Sequence, residues 1–397
     1  MDAVGRHPAS ADAVVIGGGI IGVSAAYHLA AAGAGRVVLL ERETGLGLGS
    51  TGRCAGGFRA QFSSEINVRL SLASVPMIRS FSAEHGLPVD VHVDGYLFLC
   101  RDEARWTVQQ AAADMQRRLG ARVELVDAAG CAALIPGLAV ADVVGATFGP
   151  DDGIADPSGL TNGYATLARR AGAVIRTGVT VTALLASPDG GRVTGIELAG
   201  PDGTVERIET PLVVLAAGVW SPPLAAGVGV TLPVEPLPRL VVVTSAFPGR
   251  PSRRTLVIDS PTNFYFHREG DGVLMGAPAT GERLTFDLTP DDRFIAEELL
   301  PIALRVLPAI EAAGLATRWA GLYEMTPDHH PIIGPVAGLD GLLVAVGFSG
   351  HGFQHGPIVG RLLAEIATRG RAESVDIRSL RPERFAEGEP IVERFVV

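Results

Sequence analysis

Three glycines at fixed spacing and one acid carry the first chemical signal in this chain. Gly17, Gly19 and Gly22 form G-x-G-x-x-G within residues 12–43, DAVVIGGGIIGVSAAYHLAAAGAGRVVLLERE. The first glycine permits a tight turn, the second lets backbone approach a pyrophosphate, and the third lets the following helix pack close to the strand. That helix, which opens with Ile20 and Ile21, points free N–H groups and its positive dipole end at a phosphate. Glu41, followed by Arg42, lies 19 residues after Gly22. There a carboxylate can accept hydrogen bonds from ribose hydroxyls. The pattern predicts dinucleotide binding and serves FAD and NAD alike.

A second glycine turn lies near the end of the chain. Residues 342–346 are an apolar run, residues 347–353 read GFSGHGF, and a helix is expected to about residue 368. This again aims a helix N-terminus at an electron-rich group. All 33 basic residues are arginine, which excludes Schiff-base chemistry and any lysine general base. The adjacent Asp328, His329 and His330 do not predict a metal, because neighbouring histidines point apart in an extended chain.

The elements that must position these groups follow from periodicity. Residues 13–16 and 36–40 read as buried parallel strands around a helix to about residue 32. Residues 43–62 are glycine-rich and suited to wrapping a ligand. Helices are expected near residues 66–82, 105–119, 158–171 and 291–307. Residues 91–101 read as a hairpin strand, 146–156 as a turn-rich segment, and 174–183 and 193–198 as strands. Residues 212–218, LVVLAAG, repeat the strand-and-small-turn pattern. Residues 239–245, 255–258, 263–268 and 273–276 predict an antiparallel meander in a separate sheet.

Composition bounds the rest. A chain of 397 residues with 47% hydrophobic and 19% charged residues has room for two globular domains. A net charge of −10 argues against a nucleic-acid partner. The uncharged stretch 13–35 is glycine-broken and is read neither as a membrane span nor as a signal sequence. Three cysteines, Cys54, Cys100 and Cys131, without C-x-x-C suit a reducing cytoplasm, with Cys54 expected to be inert.

The motifs DAVVIGGGIIGVSAAYHLA, GSTGRCAGGFRAQF, VVLAAGVWS, TPDHHPIIGP and GFSGHGFQHGPIVGRLLAEI follow one another between residues 12 and 366. In that order they resemble the glycine oxidase/D-amino-acid oxidase-like family of FAD enzymes, nearest its sarcosine oxidase beta-subunit branch. The resemblance implies an α/β fold (α+β overall). A Rossmann-like FAD-binding domain, residues 1–85, 150–232 and 326–397, would be interleaved with a substrate domain on a mixed or antiparallel sheet, residues 86–149 and 233–325. It implies FAD contacts from Gly17, Gly19, Ile20, Ile21, Gly22, Glu41 and Arg42 at the AMP half, and from Ser50, Thr51, Arg53, Ala55, Gly56 and Gly57 along the pyrophosphate and ring. Val179 would meet adenine through its backbone, and Ala217, Gly218 and Trp220 would close over the cofactor. Gly347, Ser349, Gly350, His351, Gly352, Phe353 and Gln354 would lie at the flavin pyrimidine, where backbone N–H groups stabilise the charge of the reduced ring.

An amino-acid substrate needs a cation for its carboxylate, and here only arginine supplies a permanent one. Arg59 and Arg268 are the candidates. Strand alternation sets Tyr265 and Arg268 on opposite faces. Tyr323 stands where the resemblance implies a pocket residue, and His351 is the titratable candidate near the flavin. Four positions depart from the family pattern. Gly321 and Arg53 replace residues that tether FAD covalently, and Gln354 and Leu274 stand where monomeric sarcosine oxidases carry lysines. The expectation is non-covalent FAD and a substrate other than sarcosine, with slow use of oxygen.

The expected activity is FAD-dependent oxidation of the C–N bond of a secondary, N-methylated or D-amino acid, by hydride transfer to flavin N5, to an imine that hydrolyses. Oxygen or another acceptor takes the electrons. A quinone- or subunit-coupled dehydrogenase, an electron-relay subunit of a heteromeric complex and a 2-hydroxyacid oxidoreductase are the alternatives. The purified protein should be yellow and release FAD into the supernatant on acid precipitation. Flavin retained in the denatured pellet would refute non-covalent attachment.

Overall fold

The computed structural model describes residues 9–199 and 203–396. The chain divides into two compact units. The first consists of residues up to Gly52, Pro157–Glu235 and Glu324–Ile391. The second consists of Arg53–Asp156, Pro236–Tyr323 and the residues from Val392 on. The first segment thus ends at Gly52 and not at residue 85. Gly57–Phe58 pairs antiparallel with Gly153–Ala155, which also pairs with Val91–His92, so the chain after the glycine-rich loop is stitched into the second unit. The C-terminal residues join it because Glu393 accepts hydrogen bonds from Ser63, Ser64 and Asn67.

The first unit is built on a six-stranded sheet. Its order is Ile332–Pro335, Leu342–Val346, Val213–Leu215, Ala13–Ile16, Val37–Leu40 and Val174–Arg176. Every pairing is parallel except that of Ile332–Pro335. Ala13–Ile16, Val37–Leu40 and Val213–Leu215 are buried throughout, which is why they read as unbroken apolar runs. Residues 174–183, expected as one strand, are two. Gly178 has φ 72°, and the chain turns there from this sheet into Thr180–Ala186 of a separate antiparallel sheet.

Helix Ile20–Ala31 packs against helix Gly352–Arg369 and helix Pro157–Arg170. Its contact with the C-terminal helix is close because that helix presents glycine. A Cβ on Gly356 would stand 2.7 Å from Ile20 Cγ1, and one on Gly360 would stand 2.5 Å from the Ser24 carbonyl carbon. Ser24 Oγ donates to the Pro357 carbonyl at 3.1 Å across the same contact.

An eight-stranded sheet dominates the second unit. Its order is Leu315–Met325, Glu235–Thr244, Gly272–Gly276, Phe264–Glu269, Leu256–Asp259, Tyr96–Cys100, Gly145–Gly149 and Glu124–Val126. It is mixed, since Leu256–Asp259 runs parallel to Tyr96–Cys100. One face, with Leu97, Leu99, Val257, Phe264, Phe266 and Met275, packs on Leu299, Ala303 and Val306 of the helical segment. The other face carries Tyr96, Phe98, Val241, Leu256, Ile258, Tyr265 and Leu274. Residues 146–156, read from sequence as turns, instead contribute two strands, Gly145–Gly149 and Gly153–Ala155. Glycine there marks close approach: a Cβ on Gly153 would overlap the His92 carbonyl.

Substituting Gly360 by valine forces the two helices apart. Overpacking of this kind costs about 1–3 kcal/mol. Gly360→Val should lower the denaturant midpoint and weaken FAD retention together. An unchanged midpoint would show that the helix contact has slack.

Candidate cofactor cradle and buried polar face

The first glycine turn leaves the C-terminal end of the central strand. Gly17 adopts φ 110°, and a Cβ there would overlap the Ala216 carbonyl. Glu41 closes the turn from the neighbouring strand: its Oε2 accepts the Gly18 N–H at 2.5 Å and its Oε1 the Glu43 N–H at 2.8 Å. The carboxylate expected to meet ribose therefore also braces the turn. Thr51 Oγ1 accepts the Ile20 N–H at 3.2 Å, and Gly47 N–H donates to the Gly18 carbonyl at 2.9 Å, so the loop carrying Ser50 lies on the helix start. The Arg42 guanidinium stacks 3.8 Å above the Trp220 ring. Val179 donates its N–H to the Glu41 carbonyl at 2.9 Å, so that amide is used within the fold and is not offered to adenine.

The second turn is braced by an acid that sequence reasoning did not single out. Glu324 accepts the Gly347 N–H at 2.8 Å through its side chain and the Ser349 N–H at 3.0 Å through its backbone. Its Oε1 is also the atom nearest the position of a Cβ on Gly218, at 3.3 Å. Desolvation pushes the Glu324 carboxyl up to about 7, against the amide hydrogen bonds from Gly347 and Phe348. Ser349 sits in the left-handed region with φ 48°. Gly350, His351, Gly352 and Phe353 follow, with His351 at the N-cap of the helix. The His351 and His355 ring centroids are 6.3 Å apart, and the Gln354 amide lies 3.1 Å from His355 Nε2.

Both turns suit an anionic, electron-rich cofactor. Helices Ile20–Ala31 and Gly352–Arg369 each begin without a side-chain cap hydrogen bond and without an acid in the first turn. Thr51 takes the Ile20 N–H, and the positive dipole ends of both helices suit an anionic ligand that glycine lets approach. Gly17, Gly19, Ile20, Ile21, Gly22, Glu41, Arg42, Ser50, Thr51, Ala217, Gly218, Trp220 and the residues of the second turn all belong to this unit. Arg53, Ala55, Gly56 and Gly57 belong to the second unit. Arg53 donates to the Ala320 carbonyl at 2.9 Å, and its own carbonyl accepts from Trp319 Nε1 at 2.9 Å.

The second unit holds a buried polar group on the sheet face opposite the helices. Tyr265 has its hydroxyl over Gly276, where a Cβ would stand 2.5 Å from it. The Arg239 guanidinium carbon is 5.2 Å from the centre of the Tyr323 ring. Burial pushes both tyrosines above 10, Tyr265 well above, and lowers Arg239 while the two tyrosines pull it back up. Burial also pushes the Cys54 thiol up to about 11, which leaves it unreactive. His267 turns its ring nitrogens to the Arg268 and Ala55 carbonyls at 2.9 and 3.2 Å.

The two arginines expected to grip a carboxylate are placed differently from Arg239. Arg59 is buried, donates to the Gln61 carbonyl and, at 2.6 Å, to the Phe395 carbonyl, and stacks on Phe62 at 3.9 Å. Arg268 lies on the face opposite Tyr265 and donates to the Gly270 and Ser252 carbonyls at 2.9 and 3.0 Å. Arg239 was missed because it follows two prolines in VEPLPRLVVV. The available signal was its register with Val241, which puts it on the buried face.

A parallel sheet with a phosphate-ready glycine turn, an acid at the next strand end and a second helix N-terminus define a dinucleotide-binding oxidoreductase. The family model described as DAO, FAD dependent oxidoreductase, matches residues 12–366, and the chain belongs to that family. FAD is its cofactor. The FAD-dependent oxidoreductase domain-containing protein 1 of Xenopus laevis is 32% identical over 98% of this chain and 85% of its own length. The mitochondrial sarcosine dehydrogenase of Mus musculus is 29% identical over 94% of this chain and 41% of its own length. The crystal structure of L-proline dehydrogenase from P.horikoshii gives a TM-score of 0.88 at 32% identity, over 97% of this chain and 100% of that one.

Asp152 provides a pH-dependent test of the second unit. It is buried, and desolvation lifts its carboxyl from 3.8 to about 7 despite hydrogen bonds from Gln61 and the Ala60 N–H. A carboxyl raised in the folded state stabilises most below pH 4, and that contribution is lost as pH rises towards 7. The slope approaches about 1.4 kcal/mol per pH unit. Asp152→Asn should flatten the fall in stability across this window, read as denaturant midpoints. A slope identical to the parent's would remove Asp152 as its source.

Proposed function

We propose that the protein oxidises the C–N bond of a secondary or N-methylated amino acid, or of a D-amino acid, to an imine that water hydrolyses. The observation that carries this reading is the buried group of Arg239, Tyr265 and Tyr323, a cation beside two neutral hydroxyls. Two of the similar proteins are named for secondary amino acids, proline and sarcosine, which supports the substrate class. FAD, when bound, would supply the hydride acceptor for the substrate's α C–H. Residues of the first unit supply its anchoring: N–H groups of the two helix starts, the Glu41 brace and the Arg42–Trp220 stack.

Burial keeps Tyr265 and Tyr323 protonated at working pH, so each hydroxyl donates to an anion and does not repel it. Arg239 supplies the positive charge. Arg59 ties the C-terminal residues to the second unit, where its terminal nitrogens serve two carbonyls. Two of the three named relatives are dehydrogenases, which favours an electron acceptor other than oxygen, a quinone or a partner protein. We place the protein in a reducing compartment, in keeping with Cys54, Cys100 and Cys131 forming no disulfide among the described residues.

An anaerobic panel of secondary, N-methylated and D-amino acids, decarboxylated amines and 2-hydroxy acids tests the reading through bleaching of the visible flavin band. Bleaching by an amino acid of these classes, with slow recovery in air and fast recovery on adding a quinone, is the expected result. Bleaching by 2-hydroxy acids alone, or by no compound, would overturn it. In the same panel Arg59→Ala should depress the melting temperature, by about 2–4 °C for each kcal/mol lost, without singling out carboxylate substrates. A selective loss of carboxylate substrates at normal stability would instead return Arg59 to the substrate site.

A further inference from the structure

Arg239 is paired in a way that differs from its neighbours. It lies on strand Glu235–Thr244 with its side chain 11% exposed, and its Nη1 is ion-paired with Glu282 Oε1. Neither its Nε nor its Nη1 makes a regular hydrogen bond among the described residues, so Glu282 holds Nη1 by charge alone. Glu282 comes from the loop that follows strand Gly272–Gly276, and the same oxygen accepts the Ala279 N–H at 3.2 Å. The loop is fastened at two points only a few residues from Glu282: Thr280 N–H to Glu298 Oε2 at 2.7 Å and Thr285 N–H to the Pro236 carbonyl at 2.9 Å. Just beyond, Leu284 and Phe286 stand 54% and 52% exposed. A loop that leaves its large apolar side chains in water is not held down by core packing.

We propose that Glu282 is an internal carboxylate that occupies Arg239 until the carboxylate of a substrate replaces it, which makes Arg239 the residue that selects for carboxylate-bearing ligands. The ligand class rests on the amino-acid reading above. The exchange is like for like: one carboxylate leaves as another arrives, so the buried guanidinium is never bare, the state that would cost most. The incoming ligand gains over Glu282. A small carboxylate is free to orient, so it can take two parallel N–H bonds from the planar fork, including the one from Nε, and add hydroxyl bonds from Tyr265 and Tyr323. Glu282 is restrained by its own loop amide and engages one nitrogen.

The FAD-loaded protein is titrated calorimetrically with trimethylacetate, an anion with no oxidisable α C–H, and with the matching uncharged amide. Glu282→Gln should tighten trimethylacetate binding about tenfold and leave the amide unchanged. Arg239→Met should lose the preference for carboxylate over amide, and Arg239→Lys should keep it at weakened trimethylacetate affinity because the charge stays and the planar fork goes, with FAD content and melting temperature as checks on folding. Because Glu282 lies on a surface loop, its variant tests the exchange even if Arg239→Met fails to fold. Unchanged trimethylacetate affinity in Glu282→Gln, no binding of it by that variant, or an intact carboxylate preference in Arg239→Met would each overturn the proposal. Amine turnover separates the two readings. Carboxylate preference without oxidation of any amine defeats the function and leaves the exchange standing; oxidation of amines with no carboxylate preference does the reverse.

Discussion

The first unit depends on how closely two helices approach. Ile20–Ala31 and Gly352–Arg369 come from opposite ends of the chain, and each starts at a glycine turn without a side-chain bond from its N-cap residue. Gly356 and Gly360 let the C-terminal helix settle onto Ile20 and Ser24, and the Ser24–Pro357 hydrogen bond fixes its register. Relative displacement of the helices would misalign the two helix starts, and preorganised donors lose most of their value when they must first move. Two acids perform matching tasks on the turns themselves. Glu41 braces the Gly18 amide and Glu324 braces the Gly347 amide, each from a strand or strand end beside the turn.

The second unit solves a different problem, since it buries charged side chains that its own polar groups serve. Asp152 is served by Gln61 and the Ala60 amide, Arg59 by two carbonyls, and Glu393 by Ser63, Ser64 and Asn67. These groups form one polar seam that joins residues 59–67 to the C-terminal residues. A seam of that kind specifies register more than it stabilises, because each ion pays desolvation that its hydrogen bonds only offset.

The sequence showed the cofactor turns because their signals are local. Glycine spacing, a buried apolar strand and an acid at the next strand end all lie within residues 12–43, and the parallel pairing of Ala13–Ile16 with Val37–Leu40 keeps them together. Alternation likewise sorted Tyr265 from Arg268 correctly across the sheet. What was illegible depends on partners far away in the chain. The first segment was extended to residue 85 because helix Glu65–Arg79 carries no mark of the strand Gly57–Phe58 that precedes it pairing with Gly153–Ala155. Glu324 looked like an ordinary strand residue, since its task is set by a turn 23 positions later. Arg59 looked available because the Phe395 carbonyl that it binds lies 336 residues on.

A chain without lysine must use arginine for every cationic task, and the buried examples show how the tasks divide. Arg384 fills its fork with Asp328 and the Leu380 and His330 carbonyls, and Asp328 is as buried as its partner. Arg101 bonds Asp259, which also takes Arg305. Such pairs are hard to open, because withdrawing one partner strands a fully desolvated charge. Arg239 differs in both respects. Two of its nitrogens, Nε and Nη1, make no regular hydrogen bond among the described residues, and its carboxylate partner is 24% exposed on a loop. Returning that partner to water restores much of its hydration, whereas the unsatisfied donors favour any ligand that can reach them. The asymmetry is what separates an arginine that holds the fold from one able to accept a ligand.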